Sequence, residues 1–284
     1  MMTIVGVLHE AISVLEDAGS PSPRLDAEVL LAACLRIDRL RFFTHAEQEI
    51  DAAATQVFAG WIQRRIKGEP VSYIVGMKEF WSLPFRVTPA VLIPRPETEV
   101  LVEEALAVMP TNPGRPWRVL DVGTGSGAIA VALATECKNI QVTATDFSSE
   151  ALTVAKDNAE RNGVTGRIAF LQGDLFEALT GRFDLIVSNP PYISRSDFDL
   201  LPPGIRNYEP TGALLAGEDG TDVHRKLIDE GMAFLNRGGW LFMEMGEGQG
   251  AKLRTYLNEQ DGYDTVDIRN DYGGVERVIK ARRK

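Results

Sequence analysis

Two cysteines among 284 residues leave no disulfide framework, since Cys34 in "LLAACL" and Cys137 in "ATECKN" lack even CxxC spacing. Each is expected to pack or to lie on the surface. The three histidines, His9, His45 and His224, are as scattered, and they suggest no metal site. No apolar stretch approaches the roughly 20 residues of a membrane span. The opening "MMTIVGVLHEAISVLEDAG" carries acids and no basic flank, so it does not read as a signal peptide. The expectation is a soluble, cytoplasmic protein with no membrane contact.

Positive charge is also short. The formal net charge is -10, with 8 Lys and Arg against 11 Asp and Glu in residues 1–83 and 22 against 29 in the remainder. A nonspecific nucleic-acid binder needs cations to displace phosphate counterions, so no direct nucleic-acid binding is expected. What is present is ordinary globular material. A 44% hydrophobic and 25% charged composition excludes disorder, and the length allows one large domain plus a smaller one.

The patterning changes once along the chain. Up to about Gly68, apolar residues recur at three and four, as in "DAEVLLAACLRI" and "TQVFAGWIQRRI", which predicts several short helices. Residues 71–96 turn to β-branched and aromatic residues broken by prolines and predict a hairpin and linker. "ETEVLVEEALAVM" then predicts one amphipathic helix. From Arg118, the short strands "RVLDVG", "QVTATD", "RIAFLQGD", "FDLIVSN" and "WLFMEMG" alternate with helices, the pattern of a parallel sheet covered on both faces. The final "DTVDIRND" and "ERVIKARRK" are separated only by "YGGV", too little for a crossover, and are expected antiparallel.

Ligands of doubly wound sheets bind beyond the carboxyl ends of the strands, and four ends stand out. In "LDVGTGSGAIAVAL", the glycines Gly123, Gly125 and Gly127, with Thr124 and Ser126 between them, let backbone approach a ligand. Asp146 ends "TATD" at a suitable distance to accept from ribose hydroxyls. Gly123, Gly125 and Ala128 also satisfy GxGxxG/A, so loop and acid alone fit a dinucleotide or S-adenosylmethionine. Asp121 favours the latter: an acid at this strand end can hold the loop and face a cationic methionine end, whereas it would repel a pyrophosphate. Asp174 of "QGDLF" can accept from an adenine amino group or cap the next helix.

The fourth end is "SNPPYI". Pro190 holds Asn189 extended, Pro191 stiffens the next stretch of backbone, and neither proline has an N–H. The carbonyl of Pro190 and the side chain of Asn189 supply acceptors, and Tyr192 supplies a flat apolar face. These describe a pocket for a planar NH2 group.

"NPPY" after a glycine-rich loop resembles the amino-methylating class I methyltransferases, adenine-N6 DNA methyltransferases among them. The ordered set "PSPRLDAEVLLA", "GEPVSYIVGMKEF", "VLIPRPETEVLVEEAL", "LDVGTGSGAIAVAL", "VSNPPYI" and "YEP…ALLAGEDG" resembles more narrowly the release-factor glutamine methyltransferases, over nearly the whole chain. That resemblance implies an α/β fold: a Rossmann-like seven-stranded class I methyltransferase domain at 97–284, preceded by a helical substrate-recognition domain at 1–83 and a β-hairpin linker at 84–96. It implies S-adenosylmethionine as cofactor, held by Asp121, Gly123 to Gly127, Asp146, Asp174, Leu175 and Asn189. It also implies a monomer that methylates the Gln side-chain amide of the Gly-Gly-Gln loop in class 1 peptide release factors. Asn189, Pro190, Pro191 and Tyr192 would bind the amide, with Asn189, Pro190 and Tyr192 in catalysis. Leu175 stands where many members carry an aromatic, and Glu97 and Glu99 of "PETE" take no role from sequence. Adenine methylation, small-amine methylation and a non-enzymatic nucleotide-binding module are the other readings of the same residues.

Overall fold

The computed structural model describes residues 2–109, 114–177 and 179–284. By its internal contacts the chain forms two compact units, Met1–Met77 with Pro202–Tyr208, and Lys78–Leu201 with Glu209–Lys284.

The first unit contains β1 (Met2–Thr3), α1 (Ile4–Asp17), α2 (Pro23–Leu35), α3 (Arg41–Thr44), β2 (Glu49–Ile50), α4 (Ala52–Ile66) and α5 (Val71–Val75). Local chemistry starts these helices: Thr3 Oγ1 accepts from Gly6 N, Asp51 Oδ1 accepts from Ala54 N at 2.8 Å, and Pro23 opens α2. The three- and four-residue apolar spacing brings Leu15, Leu30, Leu31 and Phe58 into one core. Asp26, from "PSPRLD", is buried there. It accepts from the hydroxyls of Ser20 and Ser22 and from Arg65 Nε at 2.8 Å, which gives that motif a structural role.

The change of unit comes at Met77 and not at residue 83. The hairpin of β3 (Met77–Phe80) and β4 (Leu83–Arg86) lies earlier than 84–96, because Phe80 and Phe85, edge to face at 5.9 Å, are buried in the core of the second unit. Trp81 and Ser82 both have positive φ, 54° and 55°, as a two-residue hairpin turn requires. Glu99 Oε1 accepts from Trp81 N at 2.7 Å. That contact assigns Glu99 to the hairpin turn, while Glu97 is exposed.

The rest of the second unit runs α6 (Glu99–Val108), β5 (Trp117–Val122), α7 (Ala128–Glu136), β6 (Ile140–Asp146), α8 (Ser149–Arg161), β7 (Ile168–Gln172), β8 (Phe183–Ser188), α9 (Arg195–Phe198), with α10 (Pro203–Arg206) belonging to the first unit. It continues with α11 (Asp222–Phe234), β9 (Leu235–Glu244), α12 (Gly250–Asn258), β10 (Tyr263–Asn270) and β11 (Glu276–Arg283). Seven strands pair in the order β10, β11, β9, β8, β5, β6, β7. The β5 to β9 pairings are parallel, whereas β11 is antiparallel to both β9 and β10, as the short "YGGV" connection demands. All six residues of β8 are buried, the mark of a strand covered on both faces. One face packs on α6 and α7 through Leu101, Val131 and Leu133, and the other on α11 and α12 through Leu227, Ile228 and Leu253. Among the described residues no helix is long and apolar enough to cross a membrane.

The chain proceeds from β5 to β6 and β7 on one side, then returns to place β8 on the other side of β5. The strand order therefore reverses between β5 and β8, the position at which such sheets open a crevice. Asn158, fully buried on α8, ties this crevice to the hairpin. Its Oδ1 accepts from Arg86 N at 2.7 Å, and its Nδ2 donates to Arg86 O at 3.0 Å and Ser126 O at 2.9 Å. Replacing Asn158 with Ala leaves the buried Ser126 O and the part-buried Arg86 N and O without this partner. At about 1–3 kcal/mol for a buried group so stranded, and with water able to reach the Arg86 groups, the expected loss in urea unfolding is about 1–3 kcal/mol; a loss below about 0.5 kcal/mol would show that this clamp carries no weight.

Candidate active site

A cavity of about 620 Å³ opens at the carboxyl ends of β5, β6, β7 and β8. Its floor is the glycine loop. Gly123, Gly125 and Gly127 have φ of 71°, 55° and 81°, left-handed values that a side chain disfavours. At Gly123 and Gly125 the space a Cβ would take is open, whereas a Cβ on Gly127 would stand 3.1 Å from Ala155 Cβ. Gly127 therefore serves the packing of α7 on α8, and the other two leave room for a ligand.

Hydrogen bonds hold the loop from below. Thr124 N donates to Thr145 O at 2.8 Å, and Gly125 N donates to Asp146 Oδ2 at 2.9 Å. Thr124 Oγ1 and Ala130 N both donate to Asp121 Oδ2, at 2.6 and 3.2 Å. Asp121 is fully buried beneath the loop and is not on the cavity wall; its hydrogen bonds hold the loop. Among the described residues, neither its Oδ1 nor Thr145 Oγ1 has a hydrogen-bond partner. Burial, with the charge of Asp146 adding to it, pushes the Asp121 carboxyl up to about 7.

Asp146 does line the cavity, and its Oδ1 also accepts from Ser148 N at 3.0 Å. Burial raises its carboxyl against the lowering effect of these N–H donors. Thr124, Ser126, Asp174 and Leu175 join the wall. Leu175 has φ 45°, an unusual conformation for a branched residue and one found where a backbone is held for a purpose.

The fourth strand end closes the cavity. Asn189, Pro190 and Pro191 line it. Asn189 Nδ2 donates to Thr98 Oγ1 at 3.1 Å, which turns Oδ1 the other way. Among the described residues neither Asn189 Oδ1 nor Pro190 O accepts a hydrogen bond. Two acceptors, side by side in sequence, therefore have no protein donor among these residues. Tyr192 lies off the wall: its ring comes against Gly246, its hydroxyl donates to Glu244 Oε1 at 3.4 Å, and its carbonyl accepts from Gln249 Nε2 at 2.9 Å. Burial, then the Glu244 charge, raises the Tyr192 phenol. Its ring stands beside Gly246 and its hydroxyl meets Glu244, behind the loop.

Residues 6–76 match the family described as PrmC N-terminal domain, and residues 98–201 match the one described as methyltransferase small domain. A release factor glutamine methyltransferase of Xylella fastidiosa is 47% identical over 272 residues, covering 95% of this chain and 97% of that protein. One of Salmonella typhimurium is 44% identical over 276 residues, 97% of each chain. The chain belongs to the release factor glutamine methyltransferase family. A solved methyltransferase from Pyrococcus furiosus, 21% identical with a TM-score of 0.53, covers 72% of this chain and 91% of that one; it shares the class I methyltransferase fold.

Several wall residues of this family member take no role from the sequence reading, among them Arg95 and Thr98 inside "VLIPRPETEVLVEEAL" and Phe147 and Gly212 outside the quoted motifs. Another residue, Glu244, is 1% exposed and lies behind the wall. The rule that strand ends carry chemistry could have found it, since Glu244 ends β9 inside the apolar run "WLFMEM". Glu209 of "YEP" is also buried, and it accepts from Arg95 Nη2 at 2.6 Å and Ile93 N at 3.2 Å. Among the described residues no cluster of His, Cys, Asp or Glu could hold a metal ion.

The raised Asp121 carboxyl sets a sign for pH dependence. The folded state keeps a proton that the unfolded state releases between pH 3.8 and about 7, so this group subtracts stability as pH rises through that window, by up to about 1.4 kcal/mol per pH unit. Asp121→Asn removes the effect. The stability of the Asn variant minus that of the wild type, from urea unfolding, is expected to increase from pH 4 to 7 and then level off. A pH-independent difference would mean that Asp121 ionises normally.

Proposed function

We propose that this chain transfers a methyl group from S-adenosylmethionine to the side-chain amide nitrogen of the Gln in the Gly-Gly-Gln loop of class 1 peptide release factors. The observation that carries the reading is the pair of open acceptors, Asn189 Oδ1 and Pro190 O, on the wall of a cavity floored by the glycine loop. The cofactor fits the residues present. Gly123 and Gly125 leave open space where side chains would stand, Asp146 offers a carboxylate for ribose hydroxyls, and Asp174 and Leu175, on the same wall, would meet the adenine in this reading. When bound, S-adenosylmethionine supplies an electrophilic methyl group.

The protein's task is to compensate for a poor nucleophile, because an amide nitrogen shares its lone pair with the carbonyl. Asn189 Oδ1 and Pro190 O would each accept one N–H of the substrate amide, fixing its plane and the direction of its lone pair. As the nitrogen gains positive charge, the same acceptors hold its protons more strongly than in the ground state, so binding favours the transition state. A dedicated base is not needed, since the alkylated nitrogen sheds its proton readily. His224 is no candidate: it is fully buried, and burial lowers its imidazole to about 4.

Residues 1–83 supply the recognition surface for the release factor in this reading, since a cavity that holds one side chain gives little area for a large partner. The protein is expected to incorporate labelled methyl groups into a release factor, and not into one whose Gly-Gly-Gln glutamine is replaced by alanine. Equal labelling of both would overturn the substrate assignment. In the same mixture, amide hydrogen exchange in α1 and α2 should slow when the release factor is added; unchanged exchange there would remove the helical unit from the interface.

A further inference from the structure

Resting on the amide-methylation reading, we infer that Thr98 and Glu244 are positioning residues that set the polarity of the Asn189 side chain, so that Oδ1 and not Nδ2 faces the cavity. A terminal amide is nearly symmetric in shape, and packing alone does not distinguish its two ends. Hydrogen bonding does. Glu244 Oε2 lies 2.6 Å from Thr98 Oγ1, and an ionised carboxylate can only accept. While Glu244 is ionised, the single hydroxyl proton of Thr98 is thereby committed to it. Toward Asn189, Thr98 then offers only a lone pair, and the amide end that can meet a lone pair is Nδ2, found there at 3.1 Å.

Glu244 is itself fixed. It ends β9, whose Met243 pairs with Ser188 at the end of β8, and its backbone carbonyl meets His224 Nε2 at 2.8 Å. Its second carboxylate oxygen accepts from Tyr192, at 3.4 Å. A side chain 1% exposed would be cheaper to bury as an apolar residue of similar volume. A carboxylate here is explained by a requirement that the apolar residue does not meet: while ionised, it absorbs a donor proton and returns none. The chain of bonds from Glu244 through Thr98 to Asn189 therefore passes polarity to the pocket, which ends in an acceptor and so fits an NH2 group.

Variants of the two residues should differ in a defined direction. In Glu244→Met, the Thr98 proton loses Glu244 and is free to turn to Asn189 Oδ1, so the amide turns over and presents Nδ2–H to the substrate N–H groups. The single-turnover rate of release-factor methylation at saturating cofactor should fall about tenfold, the preference set by one hydrogen bond, with the KM for release factor and cofactor affinity little changed. Adding Thr98→Val removes the misdirected proton. The double variant Glu244→Met/Thr98→Val should therefore be faster than Glu244→Met alone, recovering to within about threefold of the wild type.

A purely structural role gives the opposite order, since two core changes disturb packing more than one. A double variant slower than the single, or a Glu244→Met variant at the wild-type rate, would overturn the inference. Cofactor binding by calorimetry counts the folded sites in each variant. If Glu244→Met does not fold, the same pair built on Glu244→Gln reads the same sign, because the Gln Nε2 can donate to Thr98 and release its proton toward Asn189. A wild-type protein inactive on the release factor would contradict the proposed function instead. The polarity can then still be read from the side-chain NH2 resonances of Asn189 in ¹⁵N-Asn-labelled protein, which should shift in Thr98→Val and, if unmoved, would overturn the inference independently.

Discussion

Val122 and Ser188 stand opposite each other at the carboxyl ends of β5 and β8, and Ser188 Oγ donates to Val122 O at 2.7 Å. The parallel pairing of these two strands is the constraint on which the site depends. It brings together two loops 66 residues apart in sequence, one of left-handed glycines and one stiffened by prolines. Neither loop alone makes a site for both a cofactor and an amide. Their neighbours complete the frame: β6 brings Asp146 to the glycine loop, and β9 brings Glu244 behind the proline loop. Because both central strands are buried on both faces, a register slip of one residue would move the core set to the wrong side of the sheet. Fold specificity and site geometry are thus enforced by the same apolar side chains.

Two buried acids recur in this frame, and both are costly. Burial pushes Asp121 and Glu244 up to about 7, so each subtracts stability near neutral pH. Each also fixes a hydroxyl that faces a site loop: Thr124 for Asp121, at the glycine loop, and Thr98 for Glu244, at Asn189. An acid and a threonine make a compact device for directing a donor, since the carboxylate settles where the hydroxyl proton goes. Stability is lowered to obtain a defined hydrogen-bond direction beside the cavity, an arrangement expected of preorganised sites.

Much of this is legible in the sequence because it rests on short-range rules. Alternating apolar runs and helical periods fix the sheet class, "YGGV" fixes the antiparallel end, and the glycines and prolines announce the loops through their own backbone limits. The hairpin falls within the 71–96 stretch that its local pattern marks but earlier than the 84–96 bounds the resemblance implies; its Phe80 and Phe85 pack with distant residues of the sheet core, a tertiary fact that no local pattern carries. Tyr192 illustrates the same limit. Its composition suits a flat wall, but Gly246 and Glu244 draw its ring behind the loop. Thr98 and Glu244 are 146 residues apart and belong to no common motif; only the strand order makes them neighbours of Asn189.

The central claim is that Asn189 contributes to the transition state of methyl transfer and little to partner binding. The most direct measurement is the single-turnover methylation rate of Asn189→Ala on a release factor at saturating cofactor, together with its affinity for that factor. Loss of one preorganised acceptor should slow the step by about 10²- to 10³-fold, while the dissociation constant for the release factor changes by less than about threefold. A near-normal single-turnover rate would show that Asn189 to Tyr192 form a rigid turn and nothing more, and would contradict the account.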